Sequence, residues 1–308
     1  MTIKELKEKW NSMPVYDSGF SIVDPLHPKD IYIGYKSPDE KEVRFCDVEN
    51  NPNIQSSKSL EARMITKTDG KYMFSIYLKR KENDNEFLFL VWDIIESCRH
   101  SDNYSRSIYD KYAKWYRLLE KEKKHVLSFE RQKGLLAELL YLEEQIHNSD
   151  ENIIDCWLGP EGADQDFVFS DTWTEVKAIS ASAESVHISS LEQLASEDEG
   201  VLRVYNIETT SDENERGITL PQKVKDVYGL LSEDNKDKLT IKLYEYGYDF
   251  NDEEKYSENV FVVLKKSNYL VIDGFPKLNR TSVSEGIGNA KYTITLGSIA
   301  KYLIDEEI

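Results

Sequence analysis

The sequence predicts a mixed α/β (α+β) protein: a core in which helices flank a mixed sheet, with β-rich regions on its N-terminal and C-terminal sides. Three observations carry this. Short apolar runs of strand length separated by polar turns fill residues 19–95 and return after 238, residues 103–147 switch to helical periodicity, and residues 166–179 read as a charged hairpin. The expected divisions are a β-rich domain over 1–100, the α/β core over 101–235, and a β-rich region over 236–308 packed on that core.

In the first region the strand-like runs are 30–35 (DIYIGY), 72–78 (YMFSIYL) and 87–92 (FLFLVW). Turns at 68–71 (TDGK) and 82–85 (ENDN) separate them, as an antiparallel sheet requires. In the second region Tyr109, Tyr112, Trp115, Tyr116 and Leu119 recur at three- and four-residue spacing, as do Leu135, Leu136, Leu139, Leu140 and Leu142. A helix turns such spacing into a buried stripe. Lys111, Lys114, Arg117, Lys121, Lys123, Lys124, Arg131 and Lys133 make this the most basic stretch of the chain. It reads either as the solvated face of two helices or as a patch facing phosphates.

The hairpin is the informative segment. Residues 166–169 and 173–179 are strand-like and joined by the polar turn 170–172. Because strand side chains alternate, Glu175 and Lys177 point one way and Val176 the other. Asp166 opens the neighbouring strand, so antiparallel pairing sets its carboxylate across from Glu175. Two carboxylates and an ammonium on one face suit phosphodiester hydrolysis: hard oxygens hold Mg2+ (or Mn2+), which polarises the phosphate and acidifies a bound water, while the lysine orients that water or offsets developing charge. By itself Glu-x-Lys is far more often a charge pair on a solvent-facing strand.

The surroundings of the tripeptide resemble the PD-(D/E)XK nuclease superfamily. The superfamily orders a helix, strands bearing Asp and (D/E)-x-Lys, a second helix and a further strand. Here a helix over 129–147 carries Glu138, a strand is expected around 153–157, the Asp166 and Glu175–Lys177 strands follow, and a helix beginning near Ser189 leads to a strand over 201–207. The chain is similar in particular to a bacterial family sharing Gly-Leu-Leu-x-Glu-Leu, Trp-x-Gly-Pro before Asp-Phe, Glu-Val-Lys and Ile-Ser-Ser-x-x-Gln-Leu, found here at 134–139, 157–160 with 166–167, 175–177 and 188–194. Gln165 stands where the superfamily's name places a proline.

The resemblance implies a restriction-endonuclease-like fold and a DNA endonuclease of restriction-modification-like or phage-defence systems. It makes Asp166 and Glu175 metal ligands with the Val176 carbonyl, and Lys177 the catalytic lysine. Glu138 matches a helical acid that many relatives aim at the metal, or is an ordinary exposed glutamate; Gln193 matches a polar position that contacts phosphate or orients the lysine, or is a surface glutamine. Asp164, two residues before Asp166, is the other candidate ligand. The implied partners are DNA and other defence proteins, and two symmetric sites cutting both strands would make a homodimer the natural assembly. A non-catalytic scaffold or regulatory subunit of a defence complex, keeping the nuclease fold, is the alternative.

Composition bounds these readings. With 57 Asp+Glu against 39 Lys+Arg the 308-residue chain carries −18, which excludes a protein that coats nucleic acid through phosphate neutralisation. The charge also fits a DNA mimic, which leaves Asp166, Glu175 and Lys177 unexplained. The charged segment 1–10 and the lack of any apolar stretch of about 20 residues lead to the expectation of a cytoplasmic protein without membrane association. Cys46, Cys98 and Cys156 have no metal or disulfide spacing, and the five histidines stand apart. P-loop, dinucleotide and serine-elbow motifs are absent. At the C-terminal end strands are expected at 239–244, 259–264 and 269–272, a loop between them, and a closing helix at 297–304.

Overall fold

A computed structural model describes every residue except 16–18, 39, 80–82, 121–125, 149–152, 197 and 308. The fold is mixed α/β and divides into two compact units, Met1–Lys124 and His125–Ile308.

The first unit opens with α1 (Ile3–Asn11), where the Thr2 hydroxyl accepts from Glu5 N–H and the Glu5 carboxylate accepts from Thr2 N–H. This reciprocal cap satisfies donors that the first turn otherwise strands. Strands β1 (Phe20–Ile22), β2 (Ile31–Ser37), β3 (Glu40–Val48), β4 (Leu60–Thr66) and β5 (Tyr72–Leu78) form an antiparallel sheet in the order β1-β2-β3-β5-β4. Its register aligns Ile33, Val43, Ile76 and Ala62 in one buried row. Helices α2 (Asp84–Arg99) and α3 (Tyr104–Glu120) pack together.

The run at 87–92, expected as a strand, lies inside α2. Phe87, Leu88, Leu90, Val91, Trp92, Ile94 and Ile95 are all buried, so this helix is covered on most of its circumference and its sequence loses the amphipathic period. Lys111, from the basic stretch, faces inward: its ammonium lies 2.8 Å from the Asp93 carboxylate, which also accepts from Trp115 Nε1. Lys121, Lys123 and Lys124 of that stretch lie outside the described residues.

The second unit begins with α4 (Phe129–Asn148), then a single turn, α5 (Ile153–Cys156), where a strand was expected. A 3-10 turn at Gly159–Glu161 leads into β6 (Phe167–Val168) and β7 (Trp173–Ile179), the predicted hairpin. Strand β8 (Ser185–Ile188) is followed by a 3-10 turn at Glu192–Leu194, which replaces the helix expected from Ser189, and then by β9 (Gly200–Thr209). After β10 (Ile218–Thr219) come α6 (Leu220–Leu230), α7 (Glu233–Tyr246), α8 (Glu253–Tyr256) and β11 (Val260–Val271). Strand β12 (Tyr292–Thr295), α9 (Leu296–Ile299) and β13 (Leu303–Glu307) close the chain.

The sheet runs β10-β11-β9-β7-β6 with β13 also on β11; β7 and β9 are parallel. On one face Val176, Tyr205, Ile207 and Phe261 pack with Leu135 and Leu139 of α4, Val224 of α6 and Leu243 of α7. On the other, Trp173, Leu202, Val204 and Val271 are covered by Val186, Ile188 and Ile294 of the β8–β12 pair.

Three further expectations change here. Residues 239–244 belong to α7, a helix buried at Leu239, Ile241, Lys242 and Leu243 and ended by Gly247 at φ 102°. That conformation costs glycine little and stops the helix. Tyr244 and Tyr246 therefore stand on this helix rather than in a loop. The runs 259–264 and 269–272 are one strand, β11, with its register shifted between Val263 and Lys265. The closing segment is a short helix and a 3-10 turn followed by β13.

Charge is divided unequally. The first unit holds 22 Lys+Arg and 21 Asp+Glu, the second 17 and 36. The acidity of the chain resides in the second unit.

Gly200 fixes the spacing of β9 against β7, because a Cβ there would fall 2.1–2.5 Å from the Trp173 ring. The ring is buried and its Nε1–H is held by the Asp198 carbonyl at 3.0 Å. Gly200→Ala is expected to lower stability by about 1–3 kcal/mol, the usual range for overpacking, read as a reduced urea midpoint.

Candidate active site

Strand β6 pairs with β7 only at Phe167–Thr174 and Val168–Trp173, so the edge of β7 beyond Thr174 has no ladder partner on that side. The Asp166 carboxylate fills the gap by accepting the Val176 N–H at 2.8 Å. N–H and C=O of one strand residue face the same edge, so the Val176 carbonyl is directed toward Asp166 as well. Val176's side chain is buried in the α4-facing core, and Glu175 and Lys177 project from the opposite face.

Glu175 is fully buried. Its Oε1 lies 2.5 Å from Lys177 Nζ, and among the described residues its Oε2 has no hydrogen-bond partner. Burial and the adjacent Asp166 push the Glu175 carboxyl up to about 8. Lys177 also donates to Gln193 Oε1 at 3.3 Å, and that oxygen accepts the Ser189 N–H at 2.7 Å. Burial opposes the Lys177 charge, yet Glu175 and Asp166 outweigh it and raise its pKa.

Glu138 reaches the same place from α4. Its Oε2 accepts from Trp157 Nε1 at 2.8 Å. Burial and then the nearby Glu138 charge raise the pKa of the half-buried Tyr246 of α7, whose hydroxyl donates to the Arg131 carbonyl at 3.4 Å. Burial raises the Glu138 carboxyl well above its usual range, and Asp166 and Glu175 raise it further. Asp166 is likewise raised by burial, against the lowering influence of Lys177 and the Val176 N–H. The Leu158 and Gly159 N–H groups bond the Asp166 carbonyl at 2.8 and 3.0 Å. A Cβ on Gly159 would meet Asp166 Oδ1 at 2.8 Å and Glu138 Oε2 at 2.9 Å. Only glycine leaves that space between the two carboxylates open.

The sequence candidates Asp166, Glu175, Val176, Lys177, Glu138 and Gln193 thus come together, with Glu138 buried rather than exposed. Asp164 is exposed and the Val176 bond is made by Asp166. Trp157 and Gly159 belong to a motif visible in the sequence without an evident role. Lys242 and Tyr246 escape sequence reasoning because the pattern over 239–248 predicts a strand and a loop where α7 forms.

Among the described residues no ready-made group of three or more His, Cys, Asp and Glu side chains could hold a metal ion. The oxygen-only donors nonetheless fit Mg2+, which uses one or two carboxylates and completes its shell with water and phosphate oxygens. Glu175 Oε2 is an unsatisfied buried donor atom for such an ion, and the space at Gly159 lies between two more acids.

A mixed-sheet core with α4 on one face and Asp, Glu-x-Lys along the open edge of β7 defines a nuclease-like fold. The chain belongs to the family described as "Putative PD-(D/E)XK family member, (DUF4420)", whose model matches residues 6–297. No curated protein and no solved structure matches the chain. No helix among the described residues is long and apolar enough to cross a membrane.

Gly159 has no positive φ, so alanine there is opposed by the two carboxylates and not by the backbone. Gly159→Ala is expected to keep the fold, seen as an unchanged far-ultraviolet dichroism spectrum, and to weaken Mn2+ binding by roughly tenfold or more in calorimetry, on the scale of other changes beside metal ligands.

Proposed function

We propose that the protein is a metal-dependent DNA endonuclease that hydrolyses phosphodiester bonds and serves a restriction or anti-phage system. The observation that carries this reading is the convergence of Asp166, Glu175 and Lys177 at the open edge of β7, with a Glu175 oxygen left unpartnered among the described residues. Asp166, Glu175 and the Val176 carbonyl would hold Mg2+ or Mn2+, with Glu138 beside them. When bound, the ion supplies polarisation of the phosphate and a more acidic water. Lys177 places a positive charge where charge develops on the phosphate. Gln193 and Glu175 hold its ammonium in that position. Family membership supports nuclease chemistry; the defence role rests on likeness to components of restriction-modification-like and anti-phage loci. DNA is the proposed partner, and a homodimer would cut both strands from symmetric sites.

A second reading is a non-catalytic scaffold that keeps the fold within a defence complex. It is favoured by the second unit's 36 acids against 17 bases, a field that repels DNA over about 10 Å at ordinary ionic strength.

Purified protein with Mg2+ or Mn2+ is expected to nick supercoiled plasmid or phage DNA. EDTA should stop the reaction, and Lys177→Ala and Asp166→Ala should each lower the rate by about 10²–10³-fold, the scale for losing one charge-stabilising group. Intact protein that cuts nothing and binds no Mn2+ at millimolar concentration would sink the endonuclease reading in favour of the scaffold.

A further inference from the structure

Glu138 lies on a helix that packs against one face of the sheet, whereas Glu175 and Lys177 project from the other. Its carboxylate therefore has to be held at the edge of β7 by something other than the strands. The turn 157–161 occupies that edge, tied by the Leu158 and Gly159 N–H groups to the Asp166 carbonyl.

We infer that Trp157 and Lys242 are positioning residues that fix the Glu138 carboxylate beside Asp166. The inference deepens the metal-site reading and rests on it for its consequence. Trp157 is fully buried, its ring stacked on Phe167 at 6.3 Å and 15°, and Phe167 is met edge-on by Tyr141 at 4.7 Å. The indole is thereby immobilised, and its sole donor is directed at Glu138 Oε2. A rigid donor aimed at a carboxylate sets the orientation of that carboxylate as second-layer groups do around metal ligands.

Lys242 secures the other side of the same residue. Its ammonium, on buried α7, lies 2.5 Å from the Trp157 carbonyl and 2.5 Å from Glu161 Oε1. A buried ammonium has a large desolvation cost, and here it clamps both ends of one short turn. The sequence Lys242 to Trp157 to Glu138 is a continuous chain of bonds from α7 to the site. Gly159, two residues after Trp157, leaves the opening onto which Glu138 and Asp166 face.

The test separates this role from simple packing. Mn2+ affinity is measured by calorimetry on the full chain carrying Trp157→Phe, Lys242→Met, Glu138→Ala and the two combinations with Glu138→Ala, with thermal midpoints recorded beside it. Trp157→Phe is expected to weaken Mn2+ binding by about 10–100-fold, and Lys242→Met, which retains the indole, to weaken it in the same direction. Neither should weaken it further once Glu138 is alanine, because coupled groups lose their effect together. Wild-type affinity in both single variants, or equal losses with and without Glu138, would overturn the inference.

The contact is also read without metal. The Trp157 indole N–H resonance, assigned by its loss in Trp157→Phe, is expected to move on Glu138→Ala. If it moves although the wild type binds no Mn2+, the positioning contact stands and the metal-site reading alone falls. A resonance that stays in place removes the inference whatever the metal data show.

Discussion

The bond from the Val176 N–H to the Asp166 carboxylate is the contact on which the site depends. Strand β6 stops after two residues, which would leave a backbone donor of β7 unpaired next to a buried core. An orphaned buried N–H costs about as much as a lost hydrogen bond. Asp166 removes that cost and, in the same geometry, brings its charge beside Glu175 and Glu138. Secondary structure and chemistry are joined in one side chain.

The result is electrostatically unbalanced. Three carboxyls share a desolvated space with the single ammonium of Lys177, and the pKa of each acid is raised. Carboxylates that crowd each other away from water are stabilised by whatever positive charge reaches them. Neutral donors supply part of the compensation: the Trp157 indole bonds Glu138 and the Val176 N–H bonds Asp166. Glu175 Oε2 receives none from the described residues.

Much of this was legible in the sequence because the hairpin alternates cleanly. Trp173, Glu175, Lys177 and Ile179 share one side of β7, and Thr174 and Val176 the other. The α4 stripe of Leu135, Leu136, Leu139 and Leu142 was equally plain. Elements buried on several sides were not, because burial erases the polar positions that reveal period. Residues 87–92 in α2 and 239–244 in α7 carry strand-like patterns for that reason. The misread α7 hid Lys242 and Tyr246, which reach the site only through tertiary contact. The short 3-10 turn bearing Gln193 has too few residues to announce itself by pattern.

Strand β7 carries its Janus character into folding. Its parallel register sets Glu175 beside Leu202 and Val176 beside Arg203. A slip of one residue would drive Glu175 and Lys177 among Leu135, Leu139 and Phe167 while bringing Val176 out among the acids. Such a misaligned sheet would bury two charges in hydrocarbon and unfasten Asp166 from its amide. The arrangement is therefore self-proofreading: chains paired out of frame carry their own destabilising penalty, and the acids assemble only in molecules whose core has closed correctly.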